Sequence, residues 1–103
     1  MNATQLLATI GIIVTLGLGT TATAKDCFIQ GSLSGKSTNL EKKQAHAFIS
    51  TRGGSSIWYV ESSNVADFSE HFHLGDSVQV CRKWGTTILE NRNNGINAAV
   101  FQP

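Results

Sequence analysis

The stretch SIWYVES, residues 56–62, gives the strongest strand signal in the chain and decides the fold class. Its four central side chains are β-branched or aromatic, the types that fit a pleated and half-buried surface. The preceding RGGS, residues 52–55, is typical of a hairpin turn, because glycine tolerates positive φ. Before that turn, residues 44–51 carry Ala, Ala and Ile at alternate positions, so the two segments together predict a β-hairpin.

Outward from this hairpin, short segments separated by Gly, Ser, Thr and Asn predict further strands and one helix. Strands are predicted at residues 27–33, 44–51, 56–62, 77–84, 86–92 and 96–101, with a loop at 34–43. Residues 64–72 predict a helix, because Asn64 is a good N-cap residue and an apolar face follows it. That face comprises Val65, Phe68 and Phe72. Residues 93–95, Asn-Asn-Gly, predict a type I′ turn, and the last strand is predicted at a sheet edge.

The predicted order β-β-β-α-β-β, with one further strand allowed, is that of an OB-type barrel. We therefore expect a mainly β domain, a small five- to six-stranded barrel with one short helix. In an OB-like barrel the first and fourth strands are neighbours. The alternative is an SH3-like barrel, because residues 73–80 (HLGDSVQV) and 93–96 (NNGI) are similar to the closing part of a bacterial SH3-like domain.

The first segment of the chain predicts a signal peptide, residues 1–24, that is cleaved after Ala24. Residues 6–19, LLATIGIIVTLGLG, are an uncharged apolar run shorter than the roughly 20 residues of a spanning helix. The sequence Ala-Thr-Ala that ends at Ala24 fits a cleavage site. No Lys or Arg precedes Lys25, which leaves an uncleaved anchor as the alternative. We expect residues 25–103 to form one exported domain, periplasmic or secreted, with no stable membrane span after cleavage.

The chain has two cysteines, and an oxidising compartment favours their pairing. We predict a Cys27–Cys81 disulfide that stabilises a domain too small to rely on its core alone. In its predicted strand, Cys81 lies on the face opposite to the apolar residues Val78 and Val80. Cys27 lies on the same face as the apolar residues of its own strand, Ile29 and Leu33. A bulge in one strand, or a bridge at the end of the barrel, would reconcile the two patterns.

Length, charge and motif content exclude several classes of function. The chain has 103 residues, too few for a Rossmann domain or a TIM barrel. A formal net charge of +1 argues against general coating of nucleic acid. The serines form no G-x-S-x-G motif, and no pair of carboxylates has a spacing that fixes the two groups together. We therefore expect no enzymatic activity and no cofactor.

Aromatic and basic side chains supply the candidate binding residues. Trp58 and Tyr59 are adjacent on one strand, so one of the two rings faces outward. Arg82, Lys83 and Trp84 cluster at the end of a later strand. An exposed ring beside basic groups stacks on a base or a sugar, or anchors a protein interface.

A weaker candidate is a metal site in residues 70–73, Glu-His-Phe-His. In an extended segment, His71 and His73 would share one face. They would hold zinc or copper if His46 or Asp76 supplied a third ligand. In a helix the two imidazoles diverge, and solvated histidines at a helix end are then expected.

These observations predict a small exported, non-enzymatic binding domain. Its expected partner is a protein of the envelope or the extracellular space, which it contacts or inhibits. The alternative is an OB-type module that binds oligosaccharide or single-stranded nucleic acid. A small metal-binding protein is the second alternative.

Overall fold

A computed structural model of the chain describes residues 25–103, and the predicted signal peptide lies outside these residues. The elements are β1 (Asp26–Asn39), β2 (Gln44–Thr51), β3 (Gly54–Val60), a 3-10 turn (Ser62–Asn64), α1 (Val65–His71), β4 (Ser77–Lys83), β5 (Thr86–Asn91) and β6 (Asn97–Phe101). The mainly β prediction with one short helix is confirmed. In this described part of the chain, no helix is long and apolar enough to cross a membrane.

The six strands close into one antiparallel ring in the order β1-β2-β3-β6-β5-β4. The predicted pairing of the first and fourth strands is confirmed, since β4 pairs with β1 and completes the ring. The predicted edge position of the last strand is wrong. β6 pairs with β3 on one side and with β5 on the other, so it closes the ring.

Strand β1 is longer than predicted, because the loop expected at residues 34–43 is strand as far as Asn39. The N-terminal half of β1 pairs with β4 and the C-terminal half with β2, and Ser32 is in register with both. A Cβ atom on Gly31 would lie 2.1 Å from Ser50 O, far inside contact distance. Glycine at position 31 therefore permits the close approach of β1 to β2 where β1 changes partners.

The two cysteines lie directly opposite each other on β1 and β4 and form the predicted disulfide. The next paired residues are Ile29 and Val80, so Phe28 is the extra residue of a bulge in β1. This bulge reconciles the two alternation patterns, because it shifts Cys27 onto the face of Cys81.

The helix covers one end of the ring, and its predicted apolar face is confirmed, with all three side chains buried. Lys36 of β1 donates from Nζ to the carbonyls of Ser69 and Phe72, where a cation also complements the helix C-terminus. Asn64 is the N-cap residue of the helix, as predicted, but its side chain makes no capping hydrogen bond. Its Oδ1 instead accepts from the backbone N–H of Ala99 at 2.7 Å and ties the helix start to β6.

The core lies inside the ring and beneath the helix. It comprises Leu33, Ala45, Ala47, Ile49, Trp58, Val60, Val65, Phe68, Phe72, Val78, Val80, Leu89, Ala98 and Val100. Asn91 is fully buried at the same end as the helix, and its side chain bonds to three groups. Nδ2 donates to His71 O at 2.9 Å and to Asp76 Oδ2 at 2.7 Å, and Oδ1 accepts from Asn93 N. Asn91 thus joins the helix end to the turns before β4 and after β5.

Candidate functional site

Trp58 and Tyr59 face opposite sides of β3. Trp58 is only 6% exposed and donates from Nε1 to Ser56 Oγ at 3.1 Å, so its one polar group is satisfied inside the ring. Tyr59 lies on the outer face and lines an open pocket. Tyr59 is therefore the outward ring of the pair, and Trp58 belongs to the core.

Arg82 and Phe28 form a second group at the end of the ring where β1 begins and β4 ends. The guanidinium carbon of Arg82 lies 5.4 Å from the centroid of the Phe28 ring, within the range of a cation–π contact. The Phe28 ring in turn meets the buried ring of Trp58 edge-on, with centroids 6.2 Å apart. Asp26 is the cross-strand partner of Arg82. The bulge that aligns the disulfide also places Phe28 against this arginine.

Trp84 lies beyond the end of β4, in the tight turn to β5, and is 73% exposed. Trp84 and Gly85 have φ values of 56° and 78°, the positive pair of a type I′ turn. Asn is the residue favoured at the first of these positions, and a bulky side chain there costs about 1–2 kcal/mol. An exposed tryptophan at a strained position is the kind of outlier that points to a function.

The type I′ turn predicted at Asn93-Asn94-Gly95 is wrong, since only Gly95 of the three has positive φ. Asn91 O accepts from Gly95 N at 2.7 Å, so the connection to β6 is a wider loop. Asn94-Gly95, the dipeptide that best fits a type I′ turn, therefore does not form one, whereas Trp84-Gly85, which fits it poorly, does.

We call the surface formed by Phe28, Arg82, Lys83 and Trp84 the tryptophan end. It contains three of the five predicted binding residues, and Phe28 was missed. The only feature of the sequence that points to Phe28 is the opposite placement of Cys27 and Cys81 relative to the apolar residues of their strands. This difference predicts a bulge, but it does not indicate that the bulged residue is exposed. Tyr59 belongs to a different surface.

Tyr59 lies between two other aromatic rings on adjacent strands. The His46 ring of β2 contacts it edge-on with centroids 4.4 Å apart, and the Phe101 ring of β6 does so at 5.6 Å. These rings border a pocket of about 330 Å³, which Lys43, Glu61 and Ser62 also line. We call it the aromatic pocket. Phe101 was not predicted as a binding residue and His46 was considered only as a candidate metal ligand, although the outward position of His46 follows from the alternation of β2.

The candidate metal ligands are not brought together. His71 Nε2 lies 3.9 Å from Glu70 Oε1, whereas His73 Nδ1 lies 3.7 Å from Asp76 Oδ2. His71 ends the helix, as in the diverging arrangement considered above. Across residues 25–103, no group of three His, Cys, Asp or Glu side chains is placed to hold a metal ion.

Two carboxylates have lowered pKa values, and both belong to hydrogen-bond networks that hold strands and turns together. The hydrogen bond from the His73 backbone N–H is the main cause of the lowered pKa of Asp76, and Asn91 adds to it. Lys25 is the main cause of the lowered pKa of Glu90, which also accepts from Gln79. In both residues the lowered pKa means that the ionised carboxylate, which accepts the hydrogen bonds, is the favoured form. Neither carboxylate lines the aromatic pocket.

No protein-family model, no curated protein and no solved structure matches this chain. A functional assignment therefore depends on the two surfaces described above.

Proposed function

We propose that this protein is a small exported, non-enzymatic binding domain that contacts another protein of the envelope or the extracellular space through the tryptophan end. The observation that carries the proposal is the exposed ring of Trp84 in the turn after β4. Tryptophan and arginine are the residues most enriched among those that dominate protein interfaces. A turn selected for stability alone would carry asparagine at position 84.

Charge supports a partner with an acidic surface. Arg82 and Lys83 precede the exposed ring; Asp26 is the cross-strand partner of Arg82, and the charge of Lys83 contributes to the lowered pKa of Glu90. Basic groups at an interface mainly steer encounter, so association should slow as the salt concentration rises. The packing of Arg82 on Phe28 reduces the freedom that this side chain would lose on binding.

The disulfide supports export, since such bonds persist in oxidising compartments. We place the mature N-terminus at Lys25, and the location in the periplasm or outside the cell. The ring further supports an OB-like barrel over an SH3-like one. Its helix lies between the third and fourth strands, and its first strand pairs with both the second and the fourth.

The test is a single substitution, Trp84→Asn, which removes the ring and supplies the residue that the turn prefers. The mature protein is used to isolate its partner from envelope and culture fractions, and the affinity for the purified partner is then measured. We expect the substitution to weaken binding by about 2 kcal/mol, roughly 30-fold, while the melting temperature stays constant or rises.

The matched control is Leu74→Asn, because Leu74 is a large apolar residue with 64% exposure in the turn before β4. Binding should be unchanged in this variant. The proposal is overturned if Trp84→Asn binds the partner as tightly as the wild type, or if only Leu74→Asn loses affinity.

A further inference from the structure

We propose that the aromatic pocket is a second binding site, for a sugar ring of a neutral oligosaccharide. The site lies on the outer face of β2, β3 and β6 and does not include any residue of the tryptophan end. The inference is therefore independent of the protein partner proposed above.

Strand pairing builds the aromatic part of the pocket. Tyr59 is in register with His46 on one side and with Phe101 on the other, so three outward rings lie in a row across three strands. Both neighbours meet the Tyr59 ring at steep angles, 69° and 65°, and so fix its orientation. A rigid ring loses little conformational freedom when a ligand stacks on it.

The opening arises where β2 and β3 separate. Their paired register ends at His46 and Tyr59, and the next residue of β3, Val60, pairs with Val100 of β6. The turn before β2 and the segment that follows β3 thus form the two remaining walls. Lys43 lies on the first wall, and Glu61 and Ser62 lie on the second.

The charges of these walls favour a neutral ligand. Lys43 and Glu61 carry opposite charges at one pocket, so the pair gives no net attraction for an anion or for a cation. An ammonium, a carboxylate and a hydroxyl together supply donors and acceptors for a ligand with many hydroxyl groups. The electron-rich face of an aromatic ring attracts the C–H groups of an apolar ligand face. A sugar ring combines such a face with a hydroxyl rim.

Lys43 provides a second argument, because it is a non-glycine residue with positive φ, 54°. Lysine has no preference for this left-handed conformation, in which Gly and Asn are common. Glycine would relieve the backbone but would remove the lysine side chain from the pocket wall. The volume of about 330 Å³ lies at the small end of the range for ligand sites, which suits one or two sugar rings.

The test uses the purified mature protein, labelled for amide NMR, and four defined probes. Three are neutral tetrasaccharides, built from N-acetylglucosamine, from α-linked glucose and from β-linked glucose, and the fourth is anionic tetragalacturonate. We expect at least one neutral probe to cause saturable shifts in the amide signals of residues 43–46 and 59–62. Tetragalacturonate should bind more weakly than that probe.

Three variants locate the binding. Tyr59→Leu keeps an apolar strand residue but removes the stacking ring, and should weaken binding about tenfold or more, equivalent to 1.4 kcal/mol. Lys43→Gly should weaken binding without loss of thermal stability, which separates the pocket from a folding defect. Ile57→Ala is the control, because Ile57 lies two residues before Tyr59 on the same face of β3 and does not line the pocket.

The proposal is overturned by any of three results. The first is the absence of a saturable shift with every neutral probe at about 20 mM, a concentration at which even weak specific sites are occupied. The second is tighter binding of tetragalacturonate than of every neutral probe. The third is an unchanged affinity in Tyr59→Leu. Trp84→Asn should leave sugar binding intact, so failure at one surface is distinguishable from failure at the other.

Discussion

The side-chain amide of Asn91 donates a hydrogen bond of 2.7 Å to the carboxylate of Asp76, and the amide itself is fully buried. The same nitrogen donates to His71 O, the carbonyl of the last helical residue. One side chain thus joins the end of β5, the turn before β4 and the end of the helix. Loss of this amide would remove all three of its side-chain bonds at once, although Asp76 Oδ2 also accepts from His73 N–H and His71 O also accepts from Asn94 Nδ2.

Asn91→Ala should lower the free energy of unfolding by about 3 kcal/mol, since three hydrogen bonds are lost, one of them to a carboxylate, and a cavity is left at a fully buried position. Chemical denaturation monitored by tryptophan fluorescence measures this change. Asn97→Ala is the control, because Asn97 is exposed on the adjacent strand β6, and should change stability by about 0.5 kcal/mol or less. Equal effects of the two substitutions would contradict the role assigned to Asn91.

Acidification should destabilise the fold through Asp76. Its native pKa is lowered from 3.8, mainly by the hydrogen bond from His73 N–H, so the ionised form is favoured in the folded state. The resulting stability is present above the unfolded pKa and is lost as the pH falls through the lower native value. Asp76→Asn keeps an acceptor oxygen but no longer titrates there.

Denaturation curves measured from pH 6 to about pH 2 test this expectation. The wild type should lose stability steeply at the acid end, and Asp76→Asn should be less stable at pH 6 but show a flatter acid slope. Glu41→Gln, in the exposed turn between β1 and β2, should retain the slope of the wild type. An unchanged slope in Asp76→Asn would show that other groups govern the acid response.

Gly31→Ala should be among the most damaging small substitutions in the domain. The added Cβ would lie 2.1 Å from Ser50 O, which is backbone and has no rotamer to change, so the strands must separate. We expect a loss of about 3 kcal/mol, the upper range for overpacking. Gly53→Ala in the hairpin turn is the matched control, because its Cβ would meet no atom within 4 Å. Thermal unfolding of the two variants should differ clearly, and similar midpoints would contradict the assigned role of Gly31.

The β2–β3 hairpin and the helix were predictable because the residues that specify them are close together in the sequence. The turn at Arg52 and Gly53 sets the register, and counting back from it places His46 opposite Tyr59. The apolar residues of the helix repeat with helical spacing. In contrast, Ser34 to Asn39 carry no apolar alternation, because this half of β1 has little core to face, and the segment was predicted as a loop.

The parts of the sites that could not be predicted depend on contacts between distant segments. Phe101 reaches Tyr59 only because β6 closes the ring against β3, and no local pattern specifies this pairing. Trp84 was predicted to be the last residue of a strand, because tryptophan is rarely found in a type I′ turn. Its exposure follows from the pairing of Lys83 with Thr86, which leaves Trp84 and Gly85 as the two turn residues.

The disulfide between Cys27 and Cys81 should supply a large share of the stability of the domain. It links positions 54 residues apart and joins the two strands whose pairing completes the ring. A loop of this length corresponds to about 4 kcal/mol in the chain-entropy description, comparable to the net stability of a small domain. Removal of the bond should therefore leave much of the protein unfolded near physiological temperature.

Cys27→Ala, Cys81→Ala and the double variant test this expectation by thermal and chemical unfolding. Each single substitution breaks the same bond, so the double variant should be about as unstable as the less stable single variant rather than twice as affected. Cys81 is fully buried, so its replacement also leaves a small cavity, and Cys81→Ala should be the more damaging of the two. Thiol titration of the denatured, unreduced wild type taken from its native compartment is the direct measurement. It should find no free thiol, and two thiols per chain would show that the bond does not form there and would remove the main support for an oxidising location.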